Sequence, residues 1–127
     1  IFKQKGELFF RRKESETLDR LLLKDEDFVL ATGGGTPCYG TAMERIKTAQ
    51  GVTSVYLQAG IDVLTQRLFP EIKKRPLIAH LPNTDALRDF IRKHIFERTH
   101  YYLRSDIKVD AAQDPPSVVQ QIVLRLF

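Results

Sequence analysis

Phe28 to Thr32 reads FVLAT, the composition of a short buried strand, and it runs directly into Gly33, Gly34 and Gly35. A chain that sets three side-chain-free residues at the end of a strand is constrained in one of two ways. Either the loop turns through backbone angles that other residues avoid, or something approaches the main chain too closely to admit a Cβ. These residues alone leave both causes open. In open parallel sheets ligands bind beyond the carboxyl ends of strands, so the bare amides of this loop are candidate donors to an oxyanion or a hydroxyl-rich molecule. No Gly-Lys-Ser/Thr follows the glycines, so the loop is not a Walker A phosphate cradle.

Around this loop the apolar pattern alternates between helical and extended periods. Residues 6–23 predict an amphipathic helix with Phe10, Leu18, Leu21 and Leu22 at helical spacing. Glu14 falls on the same stripe, and Arg11, three residues earlier, can meet it on one helix face. Further helices are predicted over 41–49, over 61–69 with Asp62 near its positive end, and after residue 83. That last helix has Thr84 or Asn83 as its cap and Leu87, Phe90, Ile91 and Ile95 as its apolar face. Strands are predicted at 53–59 and at DIKVDA, 106–111, and a final helix carries Val118, Val119, Ile122 and Val123. The charged, proline-bearing segment 69–83 lacks a clear period and reads as a mobile, lid-like loop. Strands alternating with helices predict an α/β domain with a parallel sheet and helices on both faces. No repeat or linker divides it, so 1–127 reads as one domain.

Composition narrows the partners. The 127 residues are 43% hydrophobic, enough for one core, and no apolar run approaches the ~20 residues of a membrane span. Ile1-Phe2 is followed by Lys3 and Gln4 rather than by an apolar leader. Cys38 is the one cysteine, has no partner for a disulfide within the chain, and suits a reducing cytoplasm. A formal charge of +4 suits anionic small molecules, but the basic residues are interspersed with acids, so neither nucleic acid nor membrane is an expected partner. His80, His94 and His100 have no metal-ligand spacing, and no metal site is expected among these residues. Cys38 reads as a packed thiol, and Tyr101 and Tyr102 as core or rim aromatics.

The arginines carry more. Arg11 with Glu14 is either a structural ion pair or a guanidinium pre-aimed to grip a second carboxylate. Arg98 is either ordinary charge near a helix C-terminus or part of the same grip. Arg75, between Lys74 and Pro76, is either solvated or able to close over phosphates.

GELFFRRKE, VLATGGGTPC, SVYL, RPLI and ERTHYY stand in the order and approximate spacing found in the shikimate kinases, across essentially all of the 127 residues, and the chain resembles that family. The resemblance implies a three-layer α/β/α P-loop kinase fold of the nucleoside-monophosphate-kinase type. It implies a cytoplasmic enzyme, a monomer, that uses ATP and Mg2+ to phosphorylate the 3-hydroxyl of shikimate, a step toward aromatic amino acids. Carried over, Arg11 and Arg98 hold the shikimate carboxylate, Glu14 orients Arg11, and Phe10 lines the substrate site. Gly33, Gly34 and Gly35 present amides to the ring hydroxyls, and Arg75 is the lid arginine that neutralises the transferring phosphate. Arg67 packs on adenine, with Gln113 and either Pro115 or Pro116 on the nucleotide's other side.

The departure from the family is at the amino end. The Walker A loop with its Lys and Mg-binding Ser/Thr, and the second strand with its Asp-x-Asp motif, are not among these residues. The chain opens on Ile and has no Met in its first forty residues, which reads as a start within a longer chain, and the resemblance implies that a βαβ unit of roughly 30 residues or more precedes it. Its central first strand belongs between 28–32 and 53–58. The 127 residues by themselves are therefore expected neither to fold stably nor to phosphorylate anything. The rival readings are a related small-metabolite kinase such as a gluconate kinase, a non-catalytic shikimate-binding remnant, and, on charge alone, a nucleic-acid module.

Overall fold

In the computed structural model, which describes residues 6–127, the first apolar stripe forms helix α1, Glu7–Leu22. Residues 1–5, on which the expectation about a leader rested, lie outside the described residues. Leu18 is buried, with Phe10, Leu21 and Leu22 half-buried beside it. Thr36–Cys38 makes one 3-10 turn begun by Pro37, and α2, Ala42–Thr48, buries Ala42 and Met43. Arg45 of α2 ties the two helices together by donating to Ser15 Oγ at 2.8 Å and meeting Asp19 at 2.9 Å.

Strands β1, Val55–Gln58, and β2, Ile107–Asp110, pair in parallel, with Val55 opposite Ile107 and Gln58 opposite Asp110. The register starts from a polar lock. Asp106 accepts the Ser54 N–H at 2.9 Å and the Ser54 hydroxyl at 3.2 Å, while its own N–H donates back to Ser54 Oγ at 2.9 Å. Lys47 of α2 pairs with the same carboxylate. Alternation then sorts the faces. Ile107 and Val109 are buried against Val118 and Ile122 of α5, Pro115–Leu126. On the opposite face Tyr56 stacks on Tyr102, ring centroids 5.1 Å apart, at the end of α4, Thr84–Tyr102. Helices thus lie on both faces of a parallel sheet, as the strand–helix alternation requires.

The larger core lies between α3, Ile61–Leu68, the 3-10 segment Phe69–Lys74, and α4. Leu87 and Ile91 of α4 are buried with Ile72 and Ile78, and Ile61, Leu64, Leu68, Phe90 and Ile95 pack around them. Asn83 is the cap of α4, its Oδ1 accepting the Ala86 N–H at 2.9 Å. Among the described residues no helix is long and apolar enough to cross a membrane.

Three expectations are corrected. Phe28–Thr32 is not a buried strand: it is extended, with Phe28, Val29 and Leu30 exposed by 47%, 99% and 41%. The two-stranded sheet pairs β1 with β2 alone, so among the described residues nothing offers this segment a ladder. Apolar composition favours a strand but supplies neither partner backbone nor cover. The segment 69–83 is not merely a loop, because it contains the 3-10 helix and sends Ile72 and Ile78 into the core. Those two isoleucines sit six apart, a spacing that fits neither period, and burial against the stripe of α4 decides their place. Finally, Val119 and Val123 are 57% and 47% exposed, so α5 buries a narrower stripe than its composition suggests.

The Lys47 ammonium and the Ser54 donors hold the Asp106 carboxyl below its ordinary range. A carboxylate with a depressed folded pKa stabilises the fold above the unfolded value, and that contribution is lost as pH falls through the folded one. Asp106→Asn should therefore lower stability at pH 7 by roughly 1 kcal/mol, a modest figure because the group is partly solvated. The difference from wild type should narrow as pH falls below about 4, toward the depressed folded value. Urea melts of both proteins at pH 7 and pH 3 check this, and an equal gap at both values would refute the lock.

Candidate functional site

Glu14 is the centre of the site. Its Oε1 accepts from Arg11 Nη1 at 2.7 Å across one turn of α1, and its Oε2 accepts from the Thr36 hydroxyl at 2.8 Å. Both oxygens are thus engaged, one by a charge and one by the turn that follows the glycines. Arg11 and Glu14 side chains are each only 18% exposed, so the pair is poorly screened and well fixed. The Arg11 guanidinium also lies over the Tyr39 ring, 4.0 Å from its centroid, a cation–π contact that holds it from the other side.

The glycine loop packs directly against these groups. A Cβ on Gly35 would stand 2.8 Å from Arg11 Nη2 and 2.9 Å from Nη1, and one on Gly34 would stand 3.2 Å from Arg98 Nη1. None of Gly33, Gly34 and Gly35 has a positive φ. The triple glycine is therefore explained by close approach and not by turn geometry, and what approaches the main chain here is a pair of guanidinium groups. All three loop carbonyls are occupied: Gly33 by the Thr36 N–H, Gly35 by the Cys38 N–H, and Gly34 by the Tyr102 hydroxyl at 2.6 Å. The three loop N–H groups have no acceptor among the described residues.

Arg98, half-buried on α4, meets the loop beside Arg11. It has no carboxylate partner among the described residues, and its guanidinium and the Tyr102 hydroxyl both stand against Gly34. Arg11, Glu14 and Arg98 together leave one net positive charge next to unused amide donors, a combination matched to a single carboxylate. Burial raises the pKa of Tyr102 and of Cys38 above their ordinary values, so both remain protonated donors at neutral pH, although Arg98 opposes burial in each case. Burial likewise lowers the pKa of His94, which stacks on Phe90 at 4.3 Å.

Phe10 stands at the rim, lining a groove of ≈ 320 Å³ with Glu14, Leu18, Leu30, Gly33 and Thr36. Its ring lies 5.2 Å from the Arg11 guanidinium. A second group assembles elsewhere. Arg67 of α3 donates to the Gln113 carbonyl at 3.3 Å, and Gln113 Nε2 donates to the Asp110 carbonyl at 2.9 Å. Pro115 and Pro116 open α5 just beyond, both exposed. Between the carboxyl ends of β1 and β2 lies a cleft of ≈ 300 Å³ lined by Gln58, Gly60, Lys108 and Asp110. Arg75 joins neither group by a hydrogen bond or ion pair, and its side chain is exposed beyond the 3-10 helix. Among the described residues no three of His, Cys, Asp and Glu come together as a metal site.

Sequence reasoning missed Thr36, Tyr39 and Tyr102. Tyr102 was findable: it follows Arg98 by four residues on one helix and must share its face. Thr36 and Tyr39 had no such signal, because their partners lie more than twenty residues away in α1.

The family model for shikimate kinase matches residues 1–127. A shikimate kinase of Flavobacterium johnsoniae is 41% identical over 86% of this chain, and one of Flavobacterium psychrophilum is 38% identical over all of this chain. The chain spans 62% of the first relative and 73% of the second. The crystal structure of the shikimate kinase from Bacteroides thetaiotaomicron superposes with a TM-score of 0.87 at 30% identity, covering 98% of this chain and 72% of that one. The Aquifex aeolicus shikimate kinase gives 0.74 at 32% identity, covering 99% and 67%. These likenesses carry the P-loop kinase fold.

Gly35→Ala separates the site from the fold. Its φ of −86° admits alanine, and the clash falls on the far end of a flexible side chain, so unfolding free energy should change by less than about 1 kcal/mol. The Arg11 guanidinium must move, however, and affinity for a ring carboxylate should fall at least roughly tenfold. Calorimetric titration beside a denaturant melt checks both halves, and unchanged affinity would show that Arg11 is not the grip.

Proposed function

Because the chain belongs to the shikimate kinase family, we propose that the protein transfers the terminal phosphoryl group of ATP to the 3-hydroxyl of shikimate, a cytoplasmic step toward aromatic amino acids carried out by a monomer. The observation that carries this reading is the set of Arg11, Glu14 and Arg98 packed on a side-chain-free loop. It offers one uncompensated positive charge to the carboxylate and free amides to the ring hydroxyls. The relatives named shikimate kinase support the same substrate.

In this reading each residue has a limited task. Arg11, aimed by Glu14, and Arg98 grip the carboxylate and so set the ring's orientation, which converts the transfer into a positioned reaction. Gly33, Gly34 and Gly35 let the ring lie close enough for their N–H groups to read its hydroxyls, and Phe10 closes one side. Arg67 and Gln113, already bonded to each other, flank the adenine together with Pro115. Arg75 moves in from its exposed position to balance charge on the transferring group. ATP supplies the phosphoryl group and magnesium the charge compensation that accompanies it. The described residues offer no ligand set for that metal. The phosphate cradle, the metal ligand and the group that takes the hydroxyl proton belong to a segment outside these 127 residues. The unladdered Phe28–Thr32 and the single-sided pairing of β1 support a strand of that segment between them.

The full-length protein with Mg-ATP should convert shikimate to its 3-phosphate, seen by phosphorus NMR, and leave gluconate untouched. Intact mass should exceed 14.6 kDa, and the 127 residues made alone should give no turnover. Arg11→Lys and Arg98→Lys should each raise KM for shikimate about tenfold or more with KM for ATP unchanged, since an ammonium cannot reproduce the guanidinium fork. Arg75→Ala should instead lower kcat by about a hundredfold. Binding of shikimate without any turnover would favour the non-catalytic remnant.

A further inference from the structure

The Gly34–Gly35 peptide is the weak point of the loop. Neither residue has a Cβ to restrict it, so this unit can rotate between orientations that most peptide units cannot share. Its neighbours are held within the local backbone, where the Gly33 and Gly35 carbonyls accept from Thr36 and Cys38 N–H groups at 3.1 and 2.9 Å. The Gly34 carbonyl has no backbone donor. It is held only by side chains: the Tyr102 hydroxyl at 2.6 Å and, more weakly, the Cys38 thiol at 3.6 Å.

Tyr102 is well built for such a task. Its ring is fixed against Tyr56 of β1. Its hydroxyl and Arg98 Nη1 crowd the same spot, lying 3.4 and 3.2 Å from the place a Gly34 Cβ would occupy. Because the peptide is planar and trans, pinning the Gly34 carbonyl also fixes the direction of the Gly35 N–H.

We propose that Tyr102 is a positioning residue whose hydroxyl holds the Gly34–Gly35 peptide and the Arg98 guanidinium in one arrangement, so that amide donors and carboxylate grip face the acceptor together. The proposal rests on the shikimate reading for its substrate, but not for its mechanics. A neutral phenol is suited to this place, because it steadies Arg98 without cancelling the charge that the acceptor's carboxylate needs. A carboxylate there would have neutralised it.

Tyr102→Phe in the full-length protein keeps the ring and removes the hydroxyl. Backbone order parameters at Gly34 and Gly35 in the ligand-free protein should fall from about 0.85 to about 0.6 or below. KM for shikimate should rise by roughly threefold to tenfold, the size of one lost hydrogen bond, with KM for ATP and the melting temperature nearly unchanged. Tyr56→Phe, which removes the other hydroxyl of the ring pair, should change none of these. Order parameters at Gly34 and Gly35 that match wild type overturn the proposal whatever the kinetics. If wild type does not use shikimate, the functional reading fails and the order parameters alone decide this one. Should Tyr102→Phe not fold, the Tyr102 hydroxyl proton of wild type should itself exchange slowly with water, and an unprotected phenol proton overturns the proposal.

Discussion

The Glu14 carboxylate is the interaction on which the site depends. It sits on α1, yet it holds both the guanidinium of its own helix and the hydroxyl of the turn that ends the glycine loop. A carboxylate this poorly exposed must have its oxygens satisfied, and the two partners that satisfy it are the two pieces the site needs side by side. One carboxylate thus joins α1, the glycine loop and the Arg11 fork, and Tyr39 reinforces the junction with its ring over Arg11 and its hydroxyl on Glu7. The glycines are the other half of the same constraint. Any side chain at Gly35 would occupy the volume of the guanidinium that Glu14 aims.

From that contact the charge balance of the site follows. Arg11 is paired, Arg98 is not, and the phenol beside Arg98 stays protonated because burial raises its pKa. In the reading proposed above, one spare positive charge and free amides suit a small carboxylate that carries hydroxyl groups. Arg67 closes on Gln113 elsewhere, beyond the carboxyl end of β2.

The sheet explains why the fold leaves these sites so far apart in sequence yet coherent. Ser54 and Asp106 lock the start of both strands, so the strand ends that follow stay level and the loops beyond them keep a common edge. Ile72 and Ile78 anchor the segment that bears Arg75 to α4, which also bears Arg98. Motion of that segment must therefore pivot on a buried contact instead of swinging from two free ends.

Much of this was legible in the residues. Periodicity located α1, α4 and both paired strands, because burial of a stripe or a face imposes its period on composition. Arg11 and Glu14 could be joined from their spacing alone, since three residues on a helix fix the geometry. The pairing of Phe28–Thr32 was not legible, because a strand exists only by virtue of a neighbour and composition does not name one. Nor were the roles of Ile72 and Ile78, whose burial follows no period.

The sequence by itself determined most of the local elements and marked the glycine loop as either tightly turned or closely approached. The tertiary structure decided between the two and fixed what approaches: two guanidinium groups more than eighty residues apart in the chain, a threonine that completes Glu14, and a tyrosine that bonds Gly34. The reason is physical. Local spacing sets backbone conformation through contacts a few residues away, whereas a site's charge and donors are set by which distant surfaces the core brings into contact.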